Sequence, residues 1–120
     1  MSTLTIRTLY DDIQSRLDEL SVDSSAVSES RNTLDRVIAG GEATYGVNTG
    51  FGKLANKRID DNDLSTLQRN LLVSHAVGVG DPVPREITAI MLALKVHALG
   101  MGYSGVSETT FGRLLEFSRS

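Results

Sequence analysis

A short stretch of the chain combines a phenol, an amide and three glycines, a set of groups that can place a reactive side chain beside a ligand. Residues 45–52 read YGVNTGFG, where Tyr45 can exchange a proton and Asn48 can hold a polar group. The glycines are Gly46, Gly50 and Gly52. Because glycine adopts positive φ without strain and lets the backbone approach a ligand closely, we expect these three to act as hinges of a loop. The competing interpretation is an ordinary surface connection.

The second group with chemical potential is the histidine near the end of a predicted helix. His75 follows Ser74 on an apolar helical stripe. The histidine residue type keeps a functional role open, although a lone histidine is more often a hydrogen-bonded, half-buried residue. His97, inside another predicted helix, is a weaker candidate. The two histidines are 22 residues apart and the chain has no cysteine, so we expect no metal site.

These groups must be positioned by helices, because apolar residues recur at helical spacing through most of the chain. The predicted fold is mainly α, with four or five helices and a short N-terminal strand at most. The predicted helices cover residues 7–20, about 24–39, 87–101 and 107 onward, and a further helix follows the acidic run at 60–63, passes through His75 and ends at Gly78 and Gly80. Residues 42–59 lose the periodicity and form an irregular glycine-rich loop. The acidic run from Asp60 to Asp63 offers oxygens that can cap the third helix.

The helix over residues 87–101 is apolar nearly all round. One stripe consists of Ile87, Ile90, Met91, Leu94, Ala98 and Met101, and further apolar residues lie on its other faces. Such a helix needs cover on every side, which a single domain of 120 residues can hardly provide. We therefore predict that its exposed remainder drives self-association.

Composition and charge exclude several classes of function. The net charge is −3 and the basic residues are scattered, so a nucleic-acid partner is not expected. The first residues, MSTLTIRTLYDD, lack the basic and apolar regions of a signal peptide, and no apolar run reaches the ~20 residues that span a bilayer. We expect a cytoplasmic protein that does not enter a membrane.

Three long blocks of the sequence are distinctive: YGVNTGFGKL at 45–54, LQRNLLVSHAVGVGDPVP at 67–84 and MLALKVHALGMGYSGV at 91–106. Together, and in this order, they resemble the aromatic amino acid ammonia-lyase and aminomutase family. The resemblance implies that residues 1–120 are a single helical N-terminal domain or fragment of the ammonia-lyase (fumarase/aspartase-like) superfamily, in which the loop at 42–59 covers an active site.

The resemblance also implies roles for particular residues. The pair Ser74-His75 resembles the Ser-His pair of the histidine-specific members, whereas tyrosine and phenylalanine lyases tend to carry His-Leu or Phe-Leu at these positions. Histidine is therefore the expected substrate, with urocanate and ammonia as products. Tyr45 is implied to be the catalytic acid or base, and His75, with Ser74 and Asn48, to bind the substrate.

The family's electrophile is a methylidene-imidazolone ring (MIO), formed from an Ala-Ser-Gly that lies downstream of the block ending at Val106. Residues 1–120 contain no Ala-Ser-Gly. The resemblance implies that the central helical bundle carrying it is absent from these residues, and that active sites are assembled from several subunits of a homotetramer. The 120 residues alone are therefore expected to be inactive.

Two alternatives remain open. The chain could be a stand-alone binding or regulatory module derived from the lyase, with Tyr45 and Ser74-His75 as a ligand pocket. It could also be part of a tyrosine or phenylalanine ammonia-lyase or of an aminomutase.

Overall fold

The described part of the chain is helical. The computed structural model describes residues 4–120, apart from the side chains of Leu54 and Asp61. The elements are α1 (Leu9–Val22), α2 (Ser25–Gly40), a 3-10 turn at Gly52–Leu54, α3 (Asp61–His75), α4 (Arg85–Gly100) and α5 (Glu108–Arg119). The mainly α fold is confirmed. The described residues contain no strand, only an isolated antiparallel bridge between Thr49 and Arg58.

The chain divides into two compact units. The terminal unit comprises the residues up to Leu34 together with Val83–Ser120, and the central unit comprises Asp35–Pro82. Among the described helices, none has both the length and the apolar content needed to cross a bilayer.

The terminal unit is built around α4, which packs against α1 and α5. Its buried hydrophobic residues are Ile13, Leu17, Leu20, Val27, Ala93, Val96 and Phe111. Full burial of each larger apolar side chain stabilises the folded state by about 1.5 to 3 kcal/mol. The buried residues of α1 are Ile13, Leu17 and Leu20, which recur at helical spacing and so form one inner face of this helix.

The inner face of α4 is not the apolar stripe that the sequence singles out. The buried residues of this helix are Ala93, Val96 and Gly100, whereas Ile87 and Met91 are exposed. The small residues explain the choice of face: a Cβ built on Gly100 would lie 2.5 Å from Cδ2 of Leu20. Because α4 is apolar nearly all round, the periodicity of its apolar residues does not identify its inner face. Close packing at its small residues decides which face is buried.

The turn between α4 and α5 approaches the start of α2 closely. Gly102 has a φ of +78°, and a Cβ built there would lie 2.5 Å from the backbone oxygen of Ala26. The backbone N–H of Gly105 donates to the hydroxyl of Ser30 at 2.9 Å. Glycine is required at position 102 by both its conformation and the space available.

Two helix starts differ in how they are capped. At α5 the Ser107 hydroxyl accepts from the N–H of Thr110 at 3.2 Å, which confirms the predicted start. At α3 Asp60 occupies the cap position, but its side chain makes no capping bond. The prediction of side-chain capping is wrong for Asp60, because the N–H of Asp63, which a capping side chain would bind, already donates to the backbone oxygen of Asp60 at 2.8 Å.

Candidate functional site

The loop of the central unit is organised by one buried amide. The Asn48 side chain is 0% exposed. Its Oδ1 accepts from the backbone N–H of Thr44 at 2.7 Å, and its Nδ2 donates to the backbone oxygen of Glu42 at 2.9 Å. A buried amide needs such partners, since leaving it unpaired costs about 1 to 3 kcal/mol. Asn48 therefore holds the start of the loop in a tight turn.

Backbone hydrogen bonds close the other side of the loop. The N–H of Ile59 donates to the oxygen of Asn48 at 2.8 Å, and the N–H of Gly50 donates to the oxygen of Lys57 at 3.0 Å. The bridge between Thr49 and Arg58 lies between these two bonds. The glycine-rich loop at 42–59 thus has no regular strand, but one antiparallel bridge closes its second half around the 3-10 turn at Gly52–Leu54.

Tyr45 stands outside this bonded framework. Its side chain is 64% exposed, and its ring meets the edge of the Phe51 ring at a centroid distance of 6.0 Å and an interplanar angle of 65°. Among the described residues its hydroxyl has no hydrogen-bond partner. The phenol is thus available to a ligand, and only a ring contact orients it.

The loop glycines differ in conformation. Gly46 has a φ of +77° and Gly52 one of +58°, and a Cβ at either position would meet nothing within 4 Å. Gly50 does not adopt positive φ, and it is buried within the bonded part of the loop. The hinge role stays a prediction for all three, with backbone conformation favouring Gly46 and Gly52.

The second candidate group lies at the end of α3. The Ser74 hydroxyl donates to the backbone oxygen of Leu71 at 3.1 Å. The Nδ1 of His75 lies 2.9 Å from that same oxygen and 2.9 Å from the Ser74 hydroxyl. Ser74 and His75 are exposed, and the imidazole lines an open depression of about 410 Å³. The residues that line this depression are Gln68, Leu71, Leu72, His75 and Ala76.

The predicted site residues fall into two local groups within the central unit. Tyr45 and Asn48 share the loop, and Ser74 and His75 share the end of α3. Tyr45 is not among the described residues that line the depression beside His75. The catalytic role of Tyr45 and the binding roles of Asn48, Ser74 and His75 stay predictions.

Three residues that line the depression, Gln68, Leu71 and Leu72, were not predicted as site residues. Helical spacing could have found the first two, because positions four and seven residues before His75 lie on the same face of an α-helix. The contact of the Leu71 backbone oxygen with His75 could not be predicted from residue types, because every residue has a backbone oxygen.

The other histidine belongs to the terminal unit. His97 is half-buried, and its pKa is lowered from the ordinary 6.5 because burial disfavours the charged ring and Arg16 repels it. Within the described residues, His97 Nδ1 and Arg16 Nε are buried without hydrogen-bond partners.

Comparison with known proteins agrees with the motif blocks. The family model described as aromatic amino acid lyase matches residues 5–120. A histidine ammonia-lyase of Geobacillus thermodenitrificans (strain NG80-2) is 52% identical over 95 residues, which are 79% of this chain and 19% of that protein. One of Stigmatella aurantiaca is 47% identical over 93 residues, which are 78% of this chain and 18% of that protein. The chain spans about a fifth of the length of the curated relatives it matches.

Proposed function

Because the chain belongs to the aromatic amino acid lyase family, we propose that it is the N-terminal part of a histidine ammonia-lyase, which converts L-histidine to urocanate and ammonia. The observation that carries the choice of histidine is the Ser74-His75 pair, hydrogen-bonded beside an open depression at the end of α3. The similarity to two histidine ammonia-lyases supports the same choice.

In this proposal His75 holds the side chain of the substrate. Leu71, Leu72 and Ala76 supply an apolar surface for a flat ring, and Gln68 supplies an amide. The imidazole of His75 can exchange one hydrogen bond with a ring nitrogen of the substrate. Asn48 contributes indirectly as well, because its buried amide shapes the loop that carries Tyr45.

Tyr45 is the proposed acid or base. Removal of a barely acidic β-proton by a phenol requires positive groups or hydrogen bonds that stabilise the phenolate. The exposed phenol of Tyr45 lies next to a positive-φ glycine and contacts the Phe51 ring only through an edge. These features support the proposal that the Tyr45 side chain can reach the substrate once the rest of the site is assembled.

The family's imidazolone ring cannot be formed by residues 1–120, because they contain no Ala-Ser-Gly. When bound in a complete enzyme, that ring would supply the electrophile that activates the amino group for departure. We propose that residues 1–120 alone do not turn over histidine.

The proposal extends to assembly and location. Ile87, Met91 and Leu94 leave apolar surface of α4 in water, which favours association into a homo-oligomer. Light scattering on the chain should show species larger than a monomer, and a clean monomer at high concentration would contradict this part. A cytoplasmic location without nucleic-acid or membrane partners completes the proposal.

A chimera tests the function directly. Residues 5–120 of this chain replace the corresponding residues of the Geobacillus thermodenitrificans histidine ammonia-lyase, and urocanate formation is followed by absorbance. We expect turnover of L-histidine with little turnover of tyrosine or phenylalanine. A folded chimera that prefers tyrosine or phenylalanine would refute the choice of substrate. A folded chimera that turns over none of the three would refute the lyase role.

The alternative is a stand-alone binding or regulatory module. The observation in its favour is that residues of α3 and Ala76, which follows it, line an open depression beside His75. Calorimetry of the 120-residue chain with histidine or urocanate distinguishes the two. Tight binding favours the module, and no binding favours a part of a larger enzyme.

A further inference from the structure

The ring of His75 makes two contacts through a single nitrogen. Its Nδ1 lies 2.9 Å from the backbone oxygen of Leu71 and 2.9 Å from the hydroxyl of Ser74. The Ser74 hydroxyl in turn lies 3.1 Å from the same backbone oxygen and donates to it. Three polar groups thus form a closed triangle in the last turn of α3.

For a neutral imidazole, only one arrangement of protons gives each contact of this triangle a hydrogen. A carbonyl oxygen accepts and never donates, so the hydrogen at the contact with Leu71 must come from Nδ1 of His75. The Ser74 proton is already directed at the Leu71 oxygen, so the serine oxygen also accepts from Nδ1. The opposite tautomer would leave the Nδ1 lone pair facing the carbonyl lone pairs at 2.9 Å.

We infer that neutral His75 carries its proton on Nδ1 and offers the lone pair of Nε2 to its ligand, with Ser74 as the residue that positions this tautomer. Nε2 has no hydrogen-bond partner among the described residues. The partner on one ring nitrogen decides which nitrogen of a histidine is free to accept. Neutral histidine in water prefers the other tautomer, so the contact with the helix backbone reverses the usual preference.

This inference rests on the proposed function and refines its substrate class. A lone pair at Nε2 accepts from an N–H, so it selects a planar ring that presents an N–H donor, such as the imidazole of histidine. A ring that presents only an acceptor or a methylated nitrogen at that point is rejected, because the contact would lack its hydrogen. Gln68, with both a donor and an acceptor on its amide, can serve the second ring nitrogen.

Nitrogen NMR on the ¹⁵N-labelled 120-residue chain tests the tautomer. At alkaline pH, where imidazole is neutral, two-bond couplings between the ring nitrogens and the carbon-bound ring protons distinguish a protonated from an unprotonated nitrogen. His97 is the only other histidine, and the spectrum of His97→Gln assigns the signals of His75. We expect the Nδ1–H pattern at His75. The Nε2–H pattern, or the averaged pattern of free histidine, would overturn the inference.

Substitution of Ser74 tests the positioning role. Ser74→Ala should shift the His75 nitrogen signals toward the averaged values, because one of the two acceptors of the Nδ1 proton is removed. Ser21→Ala is a matched control, since Ser21 is also exposed and donates to the backbone oxygen three residues earlier, at 2.7 Å. It should leave the His75 signals unchanged. If Ser74→Ala also leaves them unchanged in a folded chain, Ser74 has no positioning role.

The ligand class is tested with imidazole and 1-methylimidazole, added separately to the labelled chain at alkaline pH. Imidazole should shift the Nε2 signal of His75, and 1-methylimidazole, which has no N–H, should not; equal shifts would overturn the assigned acceptor role.

Failure of the proposed function is separate: a chimera without histidine turnover refutes the lyase role even where the Nδ1–H pattern is observed. An Nε2–H pattern alongside histidine turnover refutes only this inference.

Discussion

Different interactions stabilise the terminal unit and the central unit, each taken by itself. All seven buried hydrophobic residues of the described chain lie in the terminal unit, including Leu17, Val27 and Val96. The buried polar side chains, Asn48 and Thr49, lie in the central unit, and Asn48 is bonded to the turn around it. The candidate chemical groups Tyr45 and His75 belong to the central unit as well. Apolar packing therefore stabilises one part, and hydrogen bonds shape the part that can do chemistry.

This contrast has a physical reason. Burial of a large apolar side chain contributes about 1.5 to 3 kcal/mol, whereas a hydrogen bond contributes about 0.5 to 1.5 kcal/mol net. A unit shaped by hydrogen bonds is easier to open locally, which suits a loop that must admit a ligand. The contrast teaches that substitutions in the two units should affect different properties, stability in one and activity in the other.

The largest expected effect is on activity. In the chimera, Tyr45→Phe should lower histidine turnover by roughly 100- to 10,000-fold, because it removes the proposed proton-transfer group. The free energy of unfolding should stay nearly the same, since the Tyr45 hydroxyl bonds to none of the described residues.

Tyr10→Phe is the matched control, because Tyr10 is also an exposed tyrosine and lies on α1 of the terminal unit. It should leave both turnover and stability unchanged. Retained activity in Tyr45→Phe would contradict the proton-transfer role proposed for Tyr45.

The next effect is on stability, and it compares a leucine-to-alanine substitution in each unit. Leu17→Ala removes a side chain that is 2% exposed and should lower the free energy of unfolding by about 3 to 4 kcal/mol. Leu72→Ala removes one that is 70% exposed and should change it by less than about 0.5 kcal/mol. Urea denaturation of the 120-residue chain measures both. Equal losses would contradict the separation of a packed unit from an open one.

A pair of glycines gives a smaller difference of the same kind. Gly102→Ala should cost at least about 2 kcal/mol, since it combines positive φ with a Cβ 2.5 Å from the Ala26 oxygen. Gly46→Ala should cost about 1 kcal/mol, because it has a φ of +77° but open space around it.

Gly112→Ala is the control in these denaturation measurements. It lies inside α5 in open space without positive φ and should stabilise the chain by about 0.5 to 1 kcal/mol. A larger loss at Gly46 than at Gly102 would reverse the comparison.

The smallest effect is the pH dependence of the terminal unit. The pKa of His97 is lowered in the folded chain, first by burial and then by Arg16, so the folded state binds this proton more weakly than the unfolded state. The free energy of unfolding should therefore be highest above the ordinary pKa of 6.5 and fall as pH drops through the lowered value. His97→Gln should flatten this slope in urea denaturation between about pH 5 and pH 8. An unchanged slope would exclude His97 as its source.

The helices could be predicted from the sequence because their apolar residues recur with helical period, as Ile13, Leu17 and Leu20 do. Helix ends marked by proline or serine were equally accessible, as Pro84 before α4 and Ser107 before α5 illustrate. These features depend on residue type and local spacing alone.

Other features depend on geometry that residue types do not encode. The amide of Asn48 bonds to backbone atoms of Glu42 and Thr44, which no periodicity connects to it. The Leu71 oxygen that holds His75 is a backbone atom, so any residue at that position would supply it. The inner face of α4 could not be predicted, because apolar residues occur on every face of that helix. The side with Gly100 is the one that packs closely against Leu20.

The central claim is that the Ser74-His75 pair selects histidine. The most direct measurement is the ratio of histidine to tyrosine turnover by the chimera before and after the double substitution Ser74→His with His75→Leu. We predict a ratio that favours histidine at first and falls by at least about tenfold when the pair is changed, as loss of one specific hydrogen bond would produce. An unchanged ratio in a folded, active double variant would contradict the claim.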